Sequence, residues 1–156
     1  MKRRVWIAIS CIALVAAIYL TIHYSRPKHI EISIDSTIYS PGTEFEKQTT
    51  VSIIGDQHNR LFGKDSLTGK LIVDHDLIYE INLKRDEDRL FQILTKIEDG
   101  NQRLQSVGSV MASINLERIW LQLDDINVRY ELNEGYISGP AKDREEANIV
   151  ARSIAE

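Results

Sequence analysis

The tripeptide Asp74-His75-Asp76 holds the residue types that come closest to a metal site in this sequence. Carboxylate oxygens and imidazole nitrogens are common ligands of divalent ions. Three consecutive residues in a turn seldom all face one ion, however, and no second ligand cluster accompanies His58, the other histidine of the folded part. Because aspartate and histidine are also ordinary turn residues, we predict a solvated hairpin connection here and no metal site.

Two pairs of neighbouring carboxylates, Asp124-Asp125 and Glu145-Glu146, are the candidates for a general acid and base. Neighbours on a strand point to opposite faces, which would separate Asp124 from Asp125. The glutamates suit a helix N-terminus, where the helix dipole favours negative charge. The sequence also lacks a G-x-S-x-G elbow and a glycine-rich phosphate loop. We therefore predict no catalytic residues, no cofactor-binding residues and no cofactor.

The net charge and the cysteine content limit the classes of binding partner and the cellular compartments that fit this chain. Removing Lys2, Arg3 and Arg4 from the net charge of −4 leaves −7 for the rest of the chain. An acidic domain repels phosphate backbones, which argues against nucleic acid. Cys11, the only cysteine, lies in an apolar segment, so the remainder has no thiol for a disulfide, a cysteine zinc site or a nucleophile. An exported domain without disulfides favours a bacterial envelope.

The segment from Val5 to Tyr24 contains no charged residue. Twenty helical residues extend roughly 30 Å, the thickness of a hydrocarbon core, so a transmembrane helix is predicted. Pro27 cannot continue the helix and marks its exit. Basic residues crowd the flank before Val5 more than the flank after Tyr24, which predicts a cytoplasmic N-terminus. Residues 1–28 then form the basic flank, anchor and linker of a single-pass protein, and residues 29–156 form an extracytoplasmic domain.

Two other interpretations of the N-terminal segment are weaker. Val15-Ala16-Ala17 could be the cleavage site of a signal peptide, but the apolar run continues through Ile22, which is too long for a simple signal. Cys11 could be the acylated residue of a lipoprotein, but Ala8-Ile9-Ser10 before it is a poor match. An uncleaved anchor in the cell membrane is therefore the prediction.

Short segments of alternating polarity follow and predict a half-buried antiparallel sheet. Leu77 to Leu83 is the clearest strand. Leu90 to Ile97 fits both helix and strand spacing, and we favour a strand because Asp99-Gly100 would turn it back against Gln102 to Ala112. The other predicted strands are Ile30 to Asp35, Thr49 to Ile54, Leu67 to Val73, Val107 to Ile114 and Ile119 to Asp124.

The C-terminus has helical spacing. Asp143 and Glu146 resemble a capping box. Apolar residues then recur at positions i, i+3, i+4 and i+7, from Ala147 to Ile154, which predicts an amphipathic helix packed on the sheet. The predicted fold class is α+β: an N-terminal transmembrane helix, a mainly antiparallel β domain and a C-terminal amphipathic helix.

Three glycines and two aromatic residues are open to more than one interpretation. Gly55, Gly63 and Gly69 lack the spacing of a phosphate loop, and we expect them in bulges or turns. Trp120 and Phe62 could anchor a partner, although such aromatics more often fill a core.

Several stretches resemble a known group of proteins. They are Leu61 to Asp74 (LFGKDSLTGKLIVD), Val107-Gly108-Ser109 followed by Leu116 to Leu121, and Ile137 to Ala147 (ISGPAKDREEA). Together with the N-terminal anchor they resemble small uncharacterised membrane-anchored proteins of Bacillus-type Gram-positive bacteria, a group without an established activity. The resemblance implies placement in the cell membrane and a strand at Leu90 to Ile97. Gly139 stands where small residues such as alanine are usual in that group, a departure that we expect to be structurally mild.

Three functions fit these features. The first is a non-enzymatic module that binds an envelope or membrane protein or a cell-wall component. The second is an envelope enzyme that uses carboxylates. The third is an accessory subunit whose transmembrane helix pairs with a partner helix through Ala13, Ala16 and Ala17. The lack of a catalytic motif favours the first.

Overall fold

A computed structural model describes residues 26–59, 64–97 and 104–155, together with residues 12, 14–16, 19 and 21. Between residues 28 and 155, the described chain forms eight strands and two helices. The strands are β1 (Lys28–Tyr39), β2 (Glu46–His58), β3 (Ser66–Val73), β4 (Leu77–Asp86), β5 (Arg89–Ile97), β6 (Leu104–Ser113), β7 (Ile119–Leu123) and β8 (Tyr136–Gly139), and the helices are α1 (Asp124–Tyr130) and α2 (Arg144–Ala155).

The sheet closes on itself. Each strand pairs antiparallel with the next, and β8 pairs with both β7 and β1, which makes an eight-stranded barrel. Side chains such as Ile38, Leu71 and Leu121 have no exposed surface and fill the interior. An eight-stranded barrel is just wide enough for its own side chains to pack inside. The core is therefore the barrel lumen, and outward-facing residues are left to make other contacts.

The predicted mainly antiparallel β domain with a C-terminal helix is confirmed. In β4 the residues Leu77, Tyr79, Ile81 and Leu83 contribute to the core, while the residues between them are exposed. The segment Leu90 to Ile97, ambiguous in sequence, is β5 and pairs with β6. The observed strands are longer than predicted at several ends because polar residues of the sheet, which break the apolar pattern, still pair through their backbones.

The pairing between β4 and β5 is much shorter than the pairing between β3 and β4. β3 and β4 share eight residue pairs, from Ser66–Lys84 to Val73–Leu77. β4 and β5 share three, at Lys84 to Asp86. From Leu77 to Leu83, β4 therefore has no described pairing partner on the β5 side. We call this interval, together with the facing part of β5 from Gln92, the seam.

Two elements were not predicted from the sequence. The strand predicted to end at Asp124 ends at Leu123, and Asp124 and Asp125 form the acidic first turn of α1. The helix places Ile126 in the core with no exposed surface. β8 is only four residues long, which is too short to show an alternating pattern. It closes the barrel by pairing with β1 and β7.

The C-terminal helix packs on the outside of the barrel as predicted. The Asp143 carboxylate accepts a hydrogen bond from the Glu146 N–H at 2.8 Å, which caps the first turn of α2. Glu146 in turn accepts from the Lys142 N–H at 2.9 Å, one residue before the position a capping box uses. Ala147 is fully buried and packs with Tyr39 and Ala141 in a small cluster outside the main core.

Gly55 and Gly69 do not lie in bulges or turns, which corrects the sequence prediction. They face each other across β2 and β3. A Cβ atom on Gly55 would lie 2.2 Å from the Thr68 carbonyl oxygen, and one on Gly69 would lie 2.2 Å from the Ile54 carbonyl oxygen. The two backbones approach so closely that neither position has room for a side chain. Gly63 lies outside the described residues.

Gly139 is also tightly packed, against the expectation that its departure from alanine is mild. It ends β8 and precedes Pro140 through a cis peptide bond. A Cβ atom there would lie 2.1 Å from the Ser36 Oγ and 2.8 Å from the Ile34 Cγ2. Alanine fits only if the Ser36 and Ile34 side chains move and the Asp35 carbonyl oxygen, 3.0 Å from the added atom, gives way slightly.

The predicted transmembrane segment, Val5 to Tyr24, lies for the most part outside the described residues. Among the residues that are described, no helix is long and apolar enough to cross a membrane.

Candidate functional site

The hairpin between β3 and β4 is the tripeptide Asp74-His75-Asp76, as predicted. Asp74 and His75 adopt left-handed backbone angles, with φ of 50° and 74°. Asparagine, aspartate and histidine tolerate this region better than most residues, which explains their presence in the turn. The turn is only partly solvated, however. Asp74 is 8% exposed, so the prediction of a solvated hairpin is wrong for this residue.

The buried carboxylate of Asp74 has four partners. Thr49 Oγ1 donates to it at 3.2 Å and Arg129 Nη1 at 2.9 Å. The Tyr130 hydroxyl also donates a hydrogen bond to it. Lys47 Nζ lies 3.5 Å away and donates to the Tyr130 oxygen. A buried charge costs several kcal/mol unless it is paired and hydrogen-bonded, and these contacts meet that requirement.

Arg129 connects the two aspartates of the hairpin. Its Nη1 and Nη2 atoms donate to the two oxygens of Asp76 at 2.7 and 2.9 Å, a bidentate pair. The same Nη1 reaches Asp74. Because Arg129 and Tyr130 are the last two residues of α1, these bonds tie the helix to the hairpin. We call Lys47, Thr49, Asp74, Asp76, Arg129 and Tyr130 the Asp74 cluster.

The pKa shifts of Asp74, Asp76 and Lys47 are those expected of ion pairs. Burial by itself raises the pKa of the Asp74 carboxyl, but the hydrogen bonds from Tyr130 and Arg129 outweigh it and hold the pKa below the ordinary 3.8. The bond from Arg129 lowers the pKa of Asp76, and the bond to Tyr130 raises the pKa of Lys47. Each shift favours the charged form. A general acid or base works best with a pKa near the working pH, so these shifts favour a structural role for the cluster.

The other carboxylates considered as acid and base pairs lie in the first turns of the two helices. Asp125 accepts a hydrogen bond from the Tyr79 hydroxyl at 2.7 Å. Burial and this bond raise the pKa of Tyr79, which stays a donor. Asp124 is exposed at the start of α1, while Glu145 and Glu146 start α2. Within the described parts of the chain, no group of three His, Cys, Asp or Glu side chains is placed to hold a metal ion. His58 contacts Thr68 instead, at 3.3 Å.

An apolar row crosses the outer face of the barrel. Phe91 on β5 stands opposite Met111 on β6, and Met111 stands opposite Trp120 on β7. All three are partly exposed, and with the 55% exposed Ile93 they line an open depression. The Trp120 ring lies 5.3 Å from the Tyr136 ring. Trp120 is thus outside the barrel, which corrects the expectation that it fills the core. Phe62 lies outside the described residues.

Neither the Asp74 cluster nor the apolar row was predicted from the sequence, and the reasons are physical. The partners of Asp74 come from β2 and α1, and nothing local to the hairpin marks them. The apolar row has one residue from each of three strands, so none of these strands shows an unusual outward face by itself. The one available signal was Trp120, a large aromatic at an outward position of an alternating strand.

Comparisons with protein-family models, with curated proteins and with solved structures find no match to this chain.

Proposed function

We propose that this chain is a single-pass membrane protein whose barrel domain, residues 29–156, stands outside the cytoplasm and binds another polypeptide of the cell envelope. The observation that carries the binding role is the apolar row of Phe91, Met111 and Trp120. Aromatic residues and methionine are enriched where proteins bind one another, and this row is joined across three strands instead of scattered. A rigid barrel presents it without ordering a loop on binding.

The placement has independent support in the sequence. The uncharged stretch from Val5 to Tyr24 is long enough to span a bilayer, and Lys2, Arg3 and Arg4 precede it. The resemblance to membrane-anchored proteins of Bacillus-type bacteria points the same way. β1 starts at Lys28, so the barrel follows the proposed anchor almost directly.

The topology predicts protease sensitivity from one side only. We expect proteinase K added to intact protoplasts to remove an epitope tag placed after Glu156 and to spare a tag placed before Lys2. The tag is used because a folded barrel resists cleavage. Detergent lysis, as the control, should expose both tags. Protection of the C-terminal tag in protoplasts whose other surface proteins are digested would contradict this placement.

The binding role predicts a crosslink at the apolar row. With p-benzoylphenylalanine in place of Met111, irradiation of native cells should join the 17.9 kDa chain to a discrete second polypeptide. Trp120→Ala in the same chain should lower the yield at least tenfold, since aromatic anchors dominate binding energy. Ile149 on α2, which is 63% exposed, is the matched control position and should give no such product. Equal products from both positions would refute a specific interface.

A further inference from the structure

At the seam, part of the β4 edge has no pairing partner among the residues that the structure describes. β4 keeps its full ladder with β3 from Leu77 to Lys84, but its pairing with β5 is confined to Lys84 to Asp86. β5 is likewise paired with β6 from Arg89 to Ile97, with one register shift between Leu94 and Thr95. Both strands are therefore held in extended form by their outer neighbours, while no described backbone pairing joins their facing edges before Lys84.

The alternation of an antiparallel ladder identifies the backbone groups that face the seam. Successive residues direct their N–H and C=O groups to opposite neighbours. The Asn82 N–H points across the seam, because the Gln92 side chain accepts its hydrogen bond at 2.5 Å. Glu80 and Ile78, two and four residues earlier, point the same way. No described residue of β5 pairs with them, so within the described part of the chain two N–H and two C=O groups in a row have no backbone partner.

The side chains beside the seam are apolar and exposed. Ile78 on β4 is 61% exposed and Ile93 on β5 is 55% exposed. Val128 and Ile149 on the two helices are exposed to a similar degree, but Ile78 and Ile93 lie on the two strands that border the seam. Ile93 also borders the apolar row, so the seam and the proposed binding surface are continuous.

We infer that the seam binds an extended segment of the partner polypeptide, which adds to the edge of β4 as a further strand. This inference rests on the proposed binding function and adds that the bound segment of the partner has an extended conformation. Unpaired backbone groups in an ordered strand are a template for another strand, and they specify an extended peptide over any other ligand. The hydrogen bonds would go to Ile78 and Glu80. Apolar side chains of the segment, at alternate positions, would cover Ile78 and Ile93.

The test combines a photoreactive residue with a backbone change. With p-benzoylphenylalanine at Ile78 of the full chain in native membranes, irradiation should give a discrete adduct. Glu80→Pro removes one N–H that faces the seam and leaves the β3 ladder intact, since that ladder uses the groups of Tyr79 and Ile81. We expect at least a tenfold loss of adduct. Glu80→Ala, the matched control, keeps the N–H and should stay within twofold of the parent.

Several results would overturn the inference. They are an adduct of unchanged yield in Glu80→Pro, an adduct lost equally in Glu80→Ala, and an adduct whose mass is that of two copies of this chain. If Glu80→Pro lowers the unfolding midpoint, Ile78→Lys replaces it, with the photoreactive residue at Ile93. Lysine on a strand edge opposes pairing, so a tenfold loss supports the inference and an unchanged yield overturns it.

The crosslink at Met111 separates the two proposals. An adduct from Met111 without one from Ile78 would support the binding role of the apolar row and overturn the proposal that the seam takes part in binding. No adduct from either position overturns both. Adducts from both positions to the same polypeptide, with only the Ile78 adduct sensitive to Glu80→Pro, would support both.

Discussion

Gly55→Ala is expected to lower the free energy of unfolding by about 3 kcal/mol, the upper part of the range for overpacked interiors. The added Cβ would lie 2.2 Å from the Thr68 carbonyl oxygen and 2.8 Å from the Gly69 Cα. Both are backbone atoms of a paired strand, so no change of rotamer relieves the clash. β2 and β3 must move apart, and their separation loosens a ladder of eight residue pairs.

Thermal unfolding of the full chain in detergent, followed by near-ultraviolet circular dichroism, measures this change. The midpoint should fall on the order of 10 °C. Gly42→Ala is the control, because Gly42 has a φ of +75° and a Cβ added there would meet no atom within 4 Å. Its cost is the left-handed backbone alone, about 1 kcal/mol. A Gly55→Ala midpoint equal to that of the parent would show that the strands do not approach this closely.

Asp74→Asn is expected to cost about 3 kcal/mol, the effect of breaking a buried ion pair from one side. The amide keeps the shape of the carboxylate but carries no charge for Lys47 and Arg129. It also presents an NH₂ group to partners that are themselves donors. Chemical denaturation of the full chain at neutral pH measures the loss. Asp76→Asn is the matched control: its carboxylate is 67% exposed, and we expect a much smaller change.

The pH dependence of the same variant tests the charge argument. The pKa of Asp74 in the folded chain lies below the ordinary value of 3.8. The contribution of this residue is therefore fully present above that value and is lost as pH falls through the folded pKa. The difference in unfolding free energy between the parent and Asp74→Asn should be largest at neutral pH and shrink below about pH 4. A difference that stays constant down to about pH 2, below the ordinary range of a carboxyl pKa, would contradict the ion-pair assignment.

The strands could be predicted from the sequence because their information is local. β4 alternates residue by residue between core and solvent, so Leu77 to Leu83 identifies itself. The C-terminal helix shows its cap at Asp143 and its apolar spacing in the twelve residues that follow. Closure of the barrel was not predicted because it depends on β8, which is four residues long and pairs with β1, a strand from the other end of the domain.

The candidate sites depend on pairings between distant residues. Asp74 meets Thr49 and Tyr130 only because β2 and α1 are brought to the same hairpin. The seam is harder still to predict, because the pairing of β4 with β5 stops after three residue pairs and no residue pattern within either strand marks that point. Gly55 and Gly69 illustrate the same limit: each was visible as a glycine, but the close approach that requires it exists only when β2 and β3 pair.

The position of β1 gives the barrel a mechanical property. All twelve residues of this strand pair with β2, starting at Lys28. Hydrogen bonds between antiparallel strands lie perpendicular to the strands. A force on Lys28 directed along β1 therefore loads the twelve pairs together in shear, instead of peeling them apart one at a time. With the proposed anchor pulling at this end and a partner strand held at β4, the barrel would transmit tension from the membrane to the bound polypeptide without unfolding from its first strand.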